Sequence, residues 1–134
     1  MRKINKEVIT GYLDVSRDKL DSAKILFKHD KYDDAISRAY YAVFHCTQAL
    51  LLSLGIKAES HSGVRQLFGF HFIKEGRFDK KFGRYLKNLK DERENGDYSI
   101  FTLIEKEDAL KAINEAKEFI IETERYLKEK GLLD

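Results

Sequence analysis

The sequence predicts an all-α protein, an up-down bundle of four to five antiparallel helices, and three observations carry that prediction. Proline is absent from all 134 residues, so no ring forces a helix to break. Apolar residues recur at the 3–4 spacing of amphipathic helices along nearly the whole chain. No segment sustains the period-two alternation of a half-buried strand. A chain of this length, 43% hydrophobic and 36% charged, can bury one core, so residues 1–134 are expected to form a single domain without a linker.

Each element follows from local pattern. Ile9, Leu13, Leu20, Ala23 and Phe27, with Ser16 in the remaining slot, place a long helix over 5–28. His29-Asp30-Lys31 breaks it, and a cationic His29 would complement the helix dipole there. A second helix begins near Asp33 and ends at Gly55, which tolerates the positive φ of a C′ residue. These two should pack as an antiparallel hairpin. Ser60 or Ser62 caps a third, whose Val64, Leu67, Phe68, His71 and Phe72 share a face until Gly76, so that His71 reads as a core residue. Asp79 caps a fourth, with Phe82, Tyr85, Leu86 and Leu89 inward, and the turn ENGDYS ends it. The fifth runs from about Lys106 to Lys130, burying Leu110, Ile113, Ala116, Ile120 and Leu127, with Gly131 beyond its end. No internal repeat or low-complexity tract interrupts this series.

Composition excludes several functions. The N-terminal MRKINKEVITGYLD lacks a signal-peptide core, and the apolar run ALLLSLGI is far short of the ~20 residues of a membrane span, so a cytoplasmic protein with no membrane partner is expected. Cys46, the single cysteine, lies inside an apolar helix and reads as a small hydrophobe. There is no Glu-x-x-His, no histidine pair at i, i+4, and no glycine pattern of the P-loop or dinucleotide type, so neither a metal nor a cofactor is expected. Net charge is only +2, yet residues 74–93 carry eight Lys/Arg against four Asp/Glu, while 105–134 carry six against nine. Two helices of opposite sign pairing or facing water would explain this, as would a basic strip facing RNA.

The stretch SRAYYAVFHCTQALLLSLG, residues 37–55, carries the chemistry. At 100° per residue its helix has three faces. Ala35, Ala39, Ala42, Cys46, Ala49 and Ser53 form a seam of small side chains that admits another helix closely. Ile36, Val43, Leu50 and Leu54 lie to one side. Arg38, Tyr41, His45, Gln48 and Leu52 form a mostly polar stripe on the other. Arg38 and His45, seven residues apart, stand about 20° apart in azimuth and ~10 Å apart along the axis. A flexible arginine could therefore converge with the imidazole on one phosphate-sized anion.

At these residues the chain resembles the HEPN superfamily, in its small UPF0332-like branch. SRAYYAVFH at 37–45 resembles the branch signature, SHSG around His61 supports it, and RENGDY at 93–98 resembles the branch's Arg-x-x-Ala-Asp-Tyr element. The resemblance covers nearly the whole chain. It implies a helical bundle that usually forms a homodimer and is often encoded beside a minimal nucleotidyltransferase in toxin–antitoxin pairs. It also implies a metal-independent ribonuclease motif, Arg followed after four to six residues by His, which Arg38 and His45 match at the longest spacing. In that chemistry His45 would move the ribose 2′-OH proton or protonate the leaving oxygen, and Arg38 would stabilise the phosphoryl oxygens. A two-fold dimer could supply both base and acid. Ala39 stands where active ribonucleases of the superfamily commonly carry Asn, Asp or His. Alternatively, Arg38 would neutralise a buried carboxylate such as Asp97, and His45 would donate a hydrogen bond inside the bundle.

Candidates for substrate binding are Tyr41 and Gln48 on the stripe, His61 before the third helix, and Arg93 with Asp97, which could pair with each other or approach the stripe. Tyr98 reads as a packing residue with a polar tip. The leading expectation is a HEPN-type partner of a minimal nucleotidyltransferase in a toxin–antitoxin or nucleotide-related system. The alternatives are a ribonuclease toxin using Arg38 and His45, and a bundle that binds RNA or nucleotides unchanged.

Overall fold

The computed structural model describes residues 5–98 and 103–134, with the backbone alone at 96–98. The described residues form α1 (Lys6–Lys28), α2 (Tyr32–Ser53), α3 (His61–Phe68) with a π-helical extension (Gly69–Lys74), α4 (Lys80–Tyr98) and α5 (Lys106–Glu129), and no strand among them. The chain is an all-α bundle.

Local chemistry sets the ends. The Asn5 side chain accepts from the amides of Glu7 and Val8, and that of Ser60 from Gly63. Asp79 accepts from the amide of Lys81. His29 closes α1 as its C-cap, and Asp30 turns the chain with φ 61°. After α2, Gly55 at φ 74° lets its own amide reach the Leu52 carbonyl and the Ile56 amide reach Leu51, a Schellman close that a Cβ would strain.

α2 is the central helix, packed against α1, α3, α4 and α5. Its seam residues Ala35, Ala39, Ala42, Cys46 and Ala49 are wholly buried, because small side chains let the neighbouring helices approach. Ser16 of α1 sits on this seam, its hydroxyl 2.6 Å from the Ala42 carbonyl and 3.0 Å from the Cys46 sulfur. Burial pushes the Cys46 thiol up to about 12, so it stays a packed, unreactive SH. Beyond the seam, Phe68, Phe72, Phe78, Phe82, Phe119 and Tyr126 contact one another mostly edge to face, tying the π segment and α4 to α5.

Four expectations are corrected. The third helix is not uniform: after Phe68 its bonding widens to the π pattern, which changes the angle each residue adds. His71, which regular periodicity places in the core, therefore emerges half-buried beside the half-exposed Phe70. ENGDYS does not open with a turn, for α4 continues through Tyr98; one interior glycine costs a helix only about 1 kcal/mol, less than a break requires. Leu110 is 45% exposed, because Ala109, Ala112 and Ala116 take the inward slots and bring α5 close through small residues. No helix among the described residues is long and apolar enough to cross a membrane.

Candidate functional site

The polar stripe of α2 faces outward as its azimuth requires. Arg38 is exposed and makes no hydrogen bond or ion pair with any described residue. Two turns on, His45 is half-buried, and Gln48 presents its carbonyl oxygen 3.1 Å from the imidazole Nδ1. With an oxygen as partner, Nδ1 carries the proton and Nε2 holds the lone pair. Tyr12 of α1 stacks on the ring at 6.1 Å between centroids. Burial, with Lys19 and His61 adding positive charge nearby, holds the His45 pKa below the usual imidazole range; Gln48 offsets part of that fall. At neutral pH the ring is thus a fixed, uncharged base.

A second group assembles from three helices. Tyr40 is 1% exposed and its hydroxyl lies 2.8 Å from Nδ1 of His61, the first residue of α3. That nitrogen is the one partner within hydrogen-bond distance of the phenol among the described residues, so the phenol donates to it. Burial pushes the Tyr40 hydroxyl up to about 12, which keeps its proton in place. His61 lies flat on Phe44, centroids 4.2 Å apart and planes within 15°. The Arg93 guanidinium reaches in from α4, 5.0 Å from the Tyr41 ring and 5.4 Å from that of Tyr40, in cation–π contact with both. Burial and the charges of Arg93 and Lys90 hold His61 below its ordinary pKa.

Of the residues expected at the site, Tyr41 and His61 come together on Phe44 and Arg93 joins them over the Tyr41 ring, while Gln48 serves His45. The side chain of Asp97 lies outside the described residues, and so does its expected pairing with Arg93. An ion pair of Arg38 with a buried carboxylate is not seen among the described residues, and His45 bonds along its own helix rather than across the bundle. Sequence reasoning gave no role to Tyr12, Tyr40 or Phe44. The signal for Tyr40 and Phe44 was the density of aromatics in AYYAVFH beside a histidine, but periodicity does not say which loop residue an aromatic will meet. Among the described residues no three His, Cys, Asp or Glu side chains are grouped to hold a metal.

At Gln48 lies a pocket lined mostly by apolar groups of Val8, Tyr12, Leu51, Leu52 and Ile56, with Asn5 and Lys57 also in its wall. The pocket thus adjoins the stripe at Gln48, and the His61 group adjoins it through Phe44, whose ring lies 5.8 Å from that of His45.

Bundle and stripe together define a class: an all-α protein whose central helix shows, seven residues ahead of a half-buried histidine, an exposed arginine without a partner among the described residues. The chain belongs to the HEPN domain family, whose model matches residues 11–126. It is 36% identical to the Methanocaldococcus jannaschii protein named "Putative toxin MJ0605" over 129 residues, 96% of each chain. A second protein of that organism, "Putative toxin MJ0142", is 31% identical over 96% of this chain and 87% of its own length. A UPF0332 protein of Thermotoga maritima is 33% identical over 85% of this chain and 86% of its own.

Proposed function

We propose that this chain is the toxin of a toxin–antitoxin pair, a metal-independent ribonuclease acting through Arg38 and His45, and that a minimal nucleotidyltransferase is its neutralising partner. One observation carries the reading: an exposed arginine without a partner among the described residues shares a helix stripe with a histidine held neutral and in one tautomer. Among the described residues nothing engages the cation, and together with the fixed lone pair it suits a phosphodiester. Nε2 of His45 takes the proton of a ribose 2′-OH, the alkoxide attacks phosphorus, and the 5′-oxygen leaves with a proton, giving a 2′,3′-cyclic phosphate and a 5′-hydroxyl end. Arg38 stabilises the charge gathering on the phosphoryl oxygens. In a homodimer the second stripe provides the acid, its His45 first taking a proton from solvent at Nε2 and then passing it to the leaving oxygen.

The names of the two Methanocaldococcus relatives support the toxin role. One feature favours a second reading, RNA binding without turnover: Ala39, the position next to Arg38, is fully buried in the seam, so the stripe lacks the polar neighbour common in active enzymes of the superfamily. Incubation of RNA with the purified protein in EDTA separates the two. Cleavage to cyclic-phosphate ends, abolished by His45→Ala and lowered about 100-fold by Arg38→Ala with helical circular dichroism unchanged, is the expected result. Intact RNA across pH 5 to 8 would leave the binding and partner roles. Copurification with a nucleotidyltransferase, and a dimer in light scattering, are the results expected for the partner and the assembly.

A further inference from the structure

We infer that His61 is a nucleobase platform, an imidazole face placed to stack one unpaired base of the RNA whose phosphate lies at Arg38 and His45. This rests on the ribonuclease reading above. The geometry begins with Phe44, whose ring lies under His61 at 4.2 Å and beside His45 at 5.8 Å. Those two legs cap the separation of the imidazole centroids at 10.0 Å, a span that a nucleotide bridges from phosphate to base.

One face of the imidazole is occupied by Phe44. The positions of the tyrosines show that the other is clear of aromatic rings among the described residues. A ring on the outer face of His61 would stand several ångströms further from Phe44 than from His61. Instead Tyr40 lies 5.8 Å from His61 and 6.1 Å from Phe44, and Tyr41 lies 6.0 and 6.4 Å from the same two rings. Both tyrosines therefore stand at the rim of the stack, and His61 itself is exposed. Arg93 covers the tyrosine rings, so among the described residues His61 is the exposed aromatic surface of the group.

The platform is rigid before any ligand arrives. The buried Tyr40 hydroxyl holds Nδ1, Phe44 supports the plane, and the ring is uncharged at neutral pH. Unpaired bases are read in this way on aromatic and histidine faces, with cationic side chains at the rim. Each such face tolerates any base, so the expected ligand class is single-stranded RNA without strong sequence preference at that nucleotide.

The test uses a single-stranded 2′-O-methyl RNA oligomer carrying 2-aminopurine, which lacks the nucleophilic hydroxyl and stays intact. Binding to the wild-type chain should quench its fluorescence. His61→Phe keeps the face and should bind within about twofold of wild type, whereas His61→Ala should lose the quench and bind about tenfold more weakly. Both variants remove the acceptor of the Tyr40 hydroxyl, so the first is a matched control for any loss of stability. Quench and affinity unchanged in His61→Ala would overturn the platform. So would a His61→Phe protein as weak as His61→Ala, which would assign the role to the ring nitrogens, as in proton transfer. Cleavage of natural RNA that needs His45, beside a quench indifferent to His61, removes the platform alone. A quench that needs His61, with no cleavage by any form, keeps the platform and removes the ribonuclease.

Discussion

Two faces of the same helix, α2, solve opposite problems. On the seam, Ala35, Ala39, Ala42, Cys46 and Ala49 are buried without remainder, and the polar groups there, Ser16, the Ala42 carbonyl and the Cys46 thiol, satisfy one another. Around the cylinder, the stripe leaves Arg38 exposed and without a described partner, and holds His45 half-buried by a bond along its own helix. The seam is built so that nothing polar is left over, and the stripe so that something is. A residue's worth to the fold and its worth to chemistry are thus separable here within a few residues of sequence.

That contrast can be broken most forcefully by overfilling the seam. Ala42→Leu inserts a branched side chain where no space exists, and denaturant unfolding should show a loss of about 3 kcal/mol or an unfolded chain. A leucine accepted there without cost would mean that the helices are not in close contact at the seam. Next in size, Arg38→Ala should lower RNA cleavage about 100-fold, the scale of removing one charge-stabilising group, while its unfolding free energy stays within about 0.5 kcal/mol of wild type. Were the order reversed, with stability lost and cleavage kept, the stripe would be structural.

Substituting Ser16 by Ala takes one hydrogen bond from the seam and should cost about 1 kcal/mol by chemical denaturation, with cleavage unchanged. The smallest effect is on pH. Because burial lowers the His45 and His61 pKa values in the folded chain, the unfolded chain binds protons more readily below about pH 6.5. Their contribution is complete above that pH and is lost as pH falls through the folded values. Tm should therefore decline from pH 7 to pH 5, and decline less in His45→Gln; the half-buried Glu92 and the buried Glu115, whose pKa values are raised by burial, act in the opposite sense but equally in both proteins. A steeper decline in the variant would contradict a neutral His45.

The comparison also explains what could be read beforehand. Seam and stripe are both angular patterns on one helix, and 3.6-residue periodicity encodes angle directly, so Ala39, Arg38 and His45 fell where their numbers put them. Leu110 and His71 show the limit. Leu110 is more apolar than Ala109, yet Ala109 faces inward, because close helix packing selects for small size at that contact and hydrophobicity alone does not report it. His71 lies within a stretch whose bonding changed from α to π, a switch that no residue in GFHFIK announces.

From its sequence alone this chain determined a bundle of four to five helices, caps at Asp79, Gly55 and one of Ser60 and Ser62, and the alignment of Arg38 with His45, since all of these depend on neighbours within a turn or two. Only the tertiary structure decided that Tyr12 backs His45, that Tyr40 holds His61, and that Arg93 covers two tyrosines from α4. Those meetings depend on the rotation and height of one helix against another, which the volumes of all the packed side chains fix together and no local spacing records.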